Sequence, residues 1–367
     1  MRFGEATSEQ LLGWDRYTVD PPGGNVYQSR AWAEQRSRLG WRPRFLVSDD
    51  GYRLLSLERP WRLVPGAGAY LSRGPISAGE PAQRTAERLA AAAEWLFEHG
   101  VDVVASDAEI PADTGYGTLI ETGGFRPIEE VQPSRHRLAL DLHPGEPEST
   151  YFAGFSETTR QLIRQGEKAG LRVVRWDRRG PGSGAFGEGF DAPAADADPA
   201  AAFERLYGLL EAAAARRHFG LGSQAGFSAW SLAGLEAGMT VLLEVRTADG
   251  ELLGAATFYR HGGRLTYSHS GDRADLRRTY PGVARLLLWR AIQLAVREER
   301  IEVDLAGVDV RGARREPAKG EEMRGLYEFK RSFGARWIEL TGNHERIARP
   351  WRYGLGRISG RLLGFRR

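Results

Sequence analysis

The chain has 367 residues, 41% of them hydrophobic, which is enough to bury two cores of ordinary size. It has no cysteine, which excludes disulfides, thiolate nucleophiles and cysteine-based zinc sites and fits a reducing compartment. A formal net charge of +3 is small for this length, so the placement of charge matters more than its sum.

Near the N-terminus, Asn25 to Arg36 carries a helix-start pattern, with Gln28-Ser29 at its entry. Phe45–Val47 and Tyr52–Leu57 are expected to pair as strands around the turn Ser48-Asp-Asp-Gly51. An alanine-rich helix, about Ala82–His99, leads through Gly100 into the apolar strand Val101–Ala105, and Arg135–Leu142 alternates as a further strand. A second region opens with a helix capped by Ser156 and stopped by Gly170, on which Arg160, Arg164 and Lys168 form a basic stripe at i, i+4, i+8. Leu171–Val174 is then a strand.

Pro181–Ala200 is rich in Gly, Pro, Ala and Asp and is expected to be a mobile loop. It holds a formal G-x-G-x-x-G at Gly182–Gly187, but no helix pattern follows, so it is not a dinucleotide site. Helices follow at about Ala200–Arg217 and Phe227–Glu236, then strands at Thr240–Arg246, Leu252–Arg260 and Arg264–His269. Pro281 introduces a helix over Val283–Val296, and Ile301–Leu305 is the next strand. Leu326–Phe333 is an amphipathic helix ended by Gly334 and followed by a strand from Arg336 to Leu340. Its apolar stripe is expected to be Leu326, Phe329 and Phe333, with Lys330 at the edge.

No apolar run approaches the roughly 20 residues that cross a bilayer, and the polar start of the chain lacks a signal-peptide pattern, so a cytoplasmic protein is expected. There is no H-E-x-x-H, G-x-S-x-G or Walker A motif, so metalloprotease, serine hydrolase and P-loop chemistries lack their residues, and no metal is expected. His218, beside Arg216 and Arg217, is expected at the surface. What remains is chemistry that needs positioning and charge stabilisation more than a nucleophilic side chain. Lys168, Lys319 and Lys330 are the only lysines among 51 basic residues, which singles out Lys330 on its aromatic helix. Arg346 to Arg367 contains seven Arg and no acidic residue, a pattern suited to a polyanion such as RNA phosphates, a nucleotide or an anionic membrane face.

Four stretches, in order, resemble one family: Gln28-Ser29-x-x-Trp32 with Gly40-Trp41; Thr158-Thr-Arg160-x-x-Ile163-Arg164 with Gly166-Glu-Lys-x-Gly170; Leu287-Leu-Trp289-x-Ala-Ile292 leading to Val303-Asp304-Leu-Ala-Gly307-Val308; and Gly325-Leu-Tyr-x-Phe329-Lys330-x-x-Phe333-Gly334. Over about residues 25 to 355 the chain is similar to the FemABX peptidyltransferases. These move an amino acid from aminoacyl-tRNA onto an amine of a peptidoglycan precursor.

The resemblance implies an α/β fold of two tandem GNAT-like (acyl-CoA N-acyltransferase-like) domains with mixed sheets flanked by helices. Residues 1–145 plus 345–367 would form an acceptor-side domain, and 146–344 a transfer-channel domain. It further implies no cofactor, aminoacyl-tRNA as co-substrate, and an acceptor that is UDP-MurNAc-pentapeptide or lipid II. The place of action would be the cytoplasm or the inner face of the membrane. Nothing demands more than a monomer.

By motif position, Lys330 would face the developing oxyanion or the terminal adenosine, beside Phe329 in the channel wall. Arg36 and Arg216, or Arg217 in its place, would hold the acceptor's diphosphate. Asp107 would orient the amine or accept its proton, and Tyr267 and Asp304 would line the pocket. For each of Arg36, Asp107 and Asp304 an ordinary structural role is an equal reading. The larger family members carry a long helical arm that has no counterpart here. The stripe Arg160, Arg164 and Lys168 and the Arg-rich tail are then the candidates for tRNA phosphates.

Three alternatives stay open. A GNAT enzyme using acyl-CoA would need a Q/R-x-x-G-x-G/A loop, and Thr279-Tyr-Pro-Gly282-Val-Ala284 lacks its first residue. A tRNA-dependent amide ligase acting on a natural-product scaffold would share the same core. A non-catalytic RNA- or membrane-surface-binding module would use the Arg-rich tail and would tolerate loss of Lys330.

Overall fold

The computed structural model describes residues 1–129, 135–178, 187–217, 220–308 and 315–362. They form two compact units, the first built mainly from Met1–His136 and Ile338–Arg367, the second from Arg137–Val308 and Pro317–Trp337. Each unit is organised on a mixed seven-stranded sheet.

The first sheet uses β1 (Phe3–Glu5), β2 (Arg42–Ser48), β3 (Arg53–Pro60), β4 (Ala67–Leu71), β5 (Val101–Ser106) and β6 (Arg126–Pro127). The second contains β7 (His136–Asp141), β8 (Arg172–Trp176), β9 (Thr240–Arg246), β10 (Leu252–His261), β11 (Arg264–Asp272), β12 (Glu302–Asp304) and β13 (Arg336–Glu339). The chain then returns to the first sheet as β14 (His344–Ile347). The strand orders are β1-β2-β3-β4-β5-β14-β6 and β13-β7-β12-β11-β10-β9-β8.

In the first unit β2 and β3 form a hairpin and β4 pairs antiparallel with β3. β4 then runs parallel to β5, which demands a long crossover. The helix Ala82–Glu98 supplies it, with Leu89, Ala92, Ala93 and Leu96 fully buried at helical spacing. The small Ala side chains let this helix lie close over Leu46, Leu54, Leu71, Val101 and Val104, and each buried Leu contributes on the order of 2 kcal/mol. In the second unit β8 to β11 pair antiparallel, and the helix Val283–Arg297 carries the chain across to β12, parallel to β11. Leu286, Leu288, Ala291, Ile292, Leu294 and Ala295 of that helix are fully buried, in keeping with its expected position against the sheet.

Most expected elements are present within two or three residues of their expected bounds, but β1, β4 and β14 have no strand signal in the sequence. Ala67-Gly-Ala-Tyr-Leu71 is poor in β-branched residues, and His344-Glu-Arg-Ile347 is mostly charged. Both are strands because each lies inside the sheet with neighbours on two sides, so ladder hydrogen bonds override propensity. Residues 181–186 of the expected mobile loop, and with them nearly all of its G-x-G-x-x-G, lie outside the described residues, as does His218. The described part of that loop is tethered: Asp191 exchanges backbone hydrogen bonds with Val173 and Arg175 and binds the Arg172 guanidinium at 2.7 Å.

The helix near the C-terminus of the second unit spans Arg324–Arg331, and Gly334 ends its last turn at φ 82°. Its buried seam differs from the expected one. Tyr327, Lys330 and Phe333 are buried, whereas Leu326 and Phe329 are half-exposed. Lys330 therefore lies in the seam, not at its edge, because backbone carbonyls are there to receive its ammonium.

Candidate functional site

In the second unit β11 and β12 pair only at Arg264↔Glu302, Leu265↔Val303 and Thr266↔Asp304. β12 then stops while β11 runs on to Asp272. The carboxyl ends of parallel strands are where α/β sheets place ligands, since the strands part there without lateral partners. Just past β12 the chain turns through Ala306, whose φ of 59° is unusual for a residue with a Cβ. Asp304 Oδ1 holds that turn by accepting the Ala306 N–H at 2.8 Å.

The turn points the carbonyls of Ala306 and Gly307 at Lys330 Nζ, which donates to them at 3.2 and 2.6 Å. Lys330 is 3% exposed, and burial lowers its pKa to about 8 although the Asp304 carboxylate pulls the other way. Arg137 and Arg264 each lie 3.8 Å from Asp304, so that carboxylate is committed within the fold. An ammonium has three donors, and carbonyls carry only partial charge. Lys330 thus stays cationic near neutral pH, with one N–H unclaimed among the described residues.

Phe329, beside it, packs edge-on to Phe333 with ring centroids 5.6 Å apart. The Arg285 guanidinium lies 5.3 Å over the Phe329 ring, and its Nε donates to Thr159 Oγ1 at 3.3 Å. Burial lowers the Arg285 pKa, and among the described residues no carboxylate pairs with it. Tyr267, on the stretch of β11 beyond the pairing, donates its hydroxyl to Ser270 and packs 5.5 Å from Phe258.

In the first unit β4 and β5 stay paired through Leu71↔Ser106, and charged residues follow both strands at once. Asp107 Oδ1 accepts the Arg73 N–H at 2.6 Å, while Oδ2 accepts the Tyr70 hydroxyl at 2.7 Å and lies 3.4 Å from the Arg73 guanidinium. Arg73 also sits 3.7 Å from Glu109. Burial raises the Asp107 pKa, with Arg73 and Tyr70 opposing it. Both Asp107 oxygens are occupied, which makes this residue an organiser of Tyr70 and Arg73.

The Gln28-Ser29-x-x-Trp32 stretch supports the same corner. The buried Gln28 amide donates to Ser72 O at 2.7 Å and accepts from Leu55 N at 2.8 Å, while Ser29 caps the helix Arg30–Arg38. Arg36, on that helix, sits 5.1 Å from the rings of both Trp32 and Trp41. Its Nε is buried with no hydrogen-bond partner among the described residues, and desolvation lowers its pKa while the Tyr70 hydroxyl counteracts this. Arg59 lies 5.4 Å from the other sequence-identified ring, Trp41.

Lys330, Phe329 and Asp304 thus converge in the second unit, and Asp107 and Arg36 share Tyr70 as a neighbour in the first. Arg216 lies 3.8 Å from Asp272, a carboxylate also gripped by Arg277. The Arg217 side chain lies outside the described residues. The basic stripe is uneven: Arg164 and Lys168 are exposed, but Arg160 donates to the carbonyls of Ala153 and Phe155 and so closes the helix before it. The start of the Arg-rich tail is turned inward. Arg346 binds Glu94 at 2.6 Å, Arg349 donates to Val101 and Phe97 carbonyls, and Arg352 lies 3.4 Å from Asp102. Those arginines anchor the terminal segment. Sequence reasoning did not single out Tyr70, Arg73 or Arg285. Arg285 was within reach, three residues past the Pro281-Gly282 helix entry, whereas Tyr70 and Arg73 belong to a strand with no strand signal.

Residues 154–331 match the family model described as an acetyltransferase (GNAT) domain. The crystal structure of FemX superposes with a TM-score of 0.74 at 17% identity, covering 97% of this chain and 99% of that one. This is a FemX-like, GNAT-related fold. The likeness of this chain extends, at a lower level, to L-PGS from Bacillus licheniformis (TM-score 0.52, 11% identity, 99% of this chain and 98% of that one). It also extends to the C-terminal domain of a putative lysylphosphatidylglycerol synthetase from Agrobacterium fabrum (TM-score 0.51, 13% identity, 98% and 97%). No curated protein matches the chain in sequence. Among the described residues no group of three or more His, Asp or Glu is placed to hold a metal ion.

Proposed function

We propose that the protein is an aminoacyltransferase that moves an amino acid from aminoacyl-tRNA to an amine of a peptidoglycan precursor, UDP-MurNAc-pentapeptide or lipid II. The observation that carries this reading is the buried Lys330 ammonium, held by two carbonyls where β11 and β12 part. An aminoacyl ester is already activated, so attack by a positioned amine needs no enzyme nucleophile. The amine adds to the ester carbonyl, negative charge builds on the carbonyl oxygen, and the free N–H of Lys330 stabilises it. Collapse expels the ribose hydroxyl and leaves an amide, while the amine proton passes to solvent or the leaving oxygen. Phe329 and Arg285 offer a ring and a cation for the terminal adenosine and its phosphate.

Arg36, desolvated between two indoles with an unsatisfied Nε, is suited to the acceptor's diphosphate, and Asp107 keeps Tyr70 and Arg73 in place beside it. Arg216 or Arg217, Tyr267 and Asp304 have lesser parts: diphosphate contact for the arginines, pocket wall for Tyr267, and support of the Lys330 turn for Asp304. Arg164 and Lys168 remain the exposed cations for tRNA phosphates.

The decisive measurement is incubation with a mixture of charged tRNAs and either UDP-MurNAc-pentapeptide or lipid II, read by mass spectrometry. An adduct carrying one more amino acid is expected, and its absence with both acceptors would sink the cell-wall reading. The GNAT-domain match favours a second reading, N-acyl transfer from acyl-CoA. The lack of Gln or Arg at Thr279 weighs against it. Thermal stabilisation by acetyl-CoA but not by the muropeptide would reverse that ranking.

A further inference from the structure

The terminal helix Pro350–Leu362 has two apolar faces, and the fold uses one of them. Tyr353 and Gly356 are buried: the Tyr353 hydroxyl donates to Glu345 at 2.9 Å, and Gly356 lies so close to the Trp61 ring that a Cβ there would clash. Arg349, one turn earlier on the same face, donates to the Val101 and Phe97 carbonyls. Trp351, Leu355 and Ile358 are two residues out of step with those anchors, which on a 3.6-residue helix puts them on the opposite side. They are 64%, 46% and 57% exposed. The turn that carries Trp61 against this helix also leaves Leu63 70% exposed. Among the described residues, four of the nine most exposed large hydrophobics therefore gather at this helix and the turn it packs on.

Arg352 is held by Asp102 at 3.4 Å, but Arg357 beside the exposed stripe keeps its charge, with its guanidinium 5.5 Å from the Tyr353 ring. No acidic residue occurs from Arg346 to the end of the chain. We propose that this helix docks on an anionic lipid surface, lying in the interface with Trp351, Leu355 and Ile358 among the acyl chains and Arg357 at the headgroups. A second copy of the chain is the less favoured occupant, because a symmetric contact would oppose two acid-free, arginine-bearing helices. No helix among the described residues is long and apolar enough to cross a membrane, so the helix would lie on the surface and not span it. The docking is independent of the transfer chemistry.

Flotation of the full chain with phosphatidylcholine vesicles, with and without phosphatidylglycerol, tests it. The chain is expected to float with the anionic vesicles and to lose that binding as salt is raised. Leu355→Glu with Ile358→Glu should weaken binding roughly tenfold or more with an unchanged thermal melt, since both side chains are exposed. Arg357→Glu should weaken binding to the anionic vesicles alone. Failure of the wild type to float, or equal flotation of the double variant, overturns the proposal. So does a concentration-dependent dimer in sedimentation that the double variant abolishes.

Discussion

Each unit joins two parallel strands through a long apolar helix, and the two pairs end differently. In the first unit β4 and β5 stay paired to Leu71↔Ser106, and the residues just beyond them lock together, Arg73 to Asp107. In the second unit the pairing of β11 with β12 lapses after Thr266↔Asp304, and Lys330 faces carbonyls and not a carboxylate. One topology thus yields a neutralised rim in one place and a cation held by backbone carbonyls in the other. A cation paired with a buried carboxylate has little field left for a ligand, whereas one held by backbone dipoles retains its charge.

Breaking the first rim should have the largest effect. Asp107→Ala strips the buried Arg73 of its closest counter-charge and removes the carboxylate that accepts the Tyr70 hydroxyl. A loss of about 3 kcal/mol in denaturant unfolding is expected, and an unchanged midpoint would mean the rim is not a lock. Lys330→Met addresses the other side of the comparison. Turnover should fall about 10²- to 10³-fold, while stability changes little because the desolvation relieved offsets the hydrogen bonds lost. Full activity in that variant would remove the proposed oxyanion partner.

Arg36→Ala should raise the KM for a diphosphate-bearing acceptor roughly tenfold and leave kcat and stability nearly as they were. A fall in kcat instead would place Arg36 in the chemistry and not in binding. The smallest effect is on pH dependence. With the Lys330 pKa lowered to about 8 in the folded chain, the unfolded chain binds more protons between about pH 8 and 10.5. This residue's contribution to stability therefore rises with pH across that window, while activity that needs the ammonium falls above about pH 8. Opposite slopes in the wild type, both absent from Lys330→Met, are expected. Parallel slopes would contradict the assignment.

Much of this was legible in residue order. The helix Ala82–Glu98 and the strands from Thr240 to Asp272 follow from period and turn residues, and the Phe329-Lys330 pair was singled out by lysine scarcity and motif. The centre of the first unit was not legible. Tyr70 and Arg73 ride on or just past a strand of Ala, Gly, Tyr and Leu, which has no pattern until β3 and β5 flank it. Gln28 and Trp32 stood out as a motif, yet their work as a backbone surrogate and a cation wall depends on segments far away in sequence. The arginines at 346, 349 and 352 looked like a polyanion site because their partners, Glu94, Asp102 and two carbonyls, lie some 250 positions earlier.

The sequence by itself determined most of the helices and strands, the absence of thiol chemistry and the placing of Lys330 on an aromatic helix, because these depend on local periodicity and residue type. Only the tertiary structure decided which charges are neutralised. Arg73, Arg346 and Arg352 meet carboxylates across the fold, while among the described residues Lys330 and Arg285 pair with none, and that depends on which strand ends and turns are brought together. The same division applies to the terminal helix: its apolar residues are plain in the sequence, but only the seat of Tyr353 and Gly356 against Trp61 shows which of them are left facing outward.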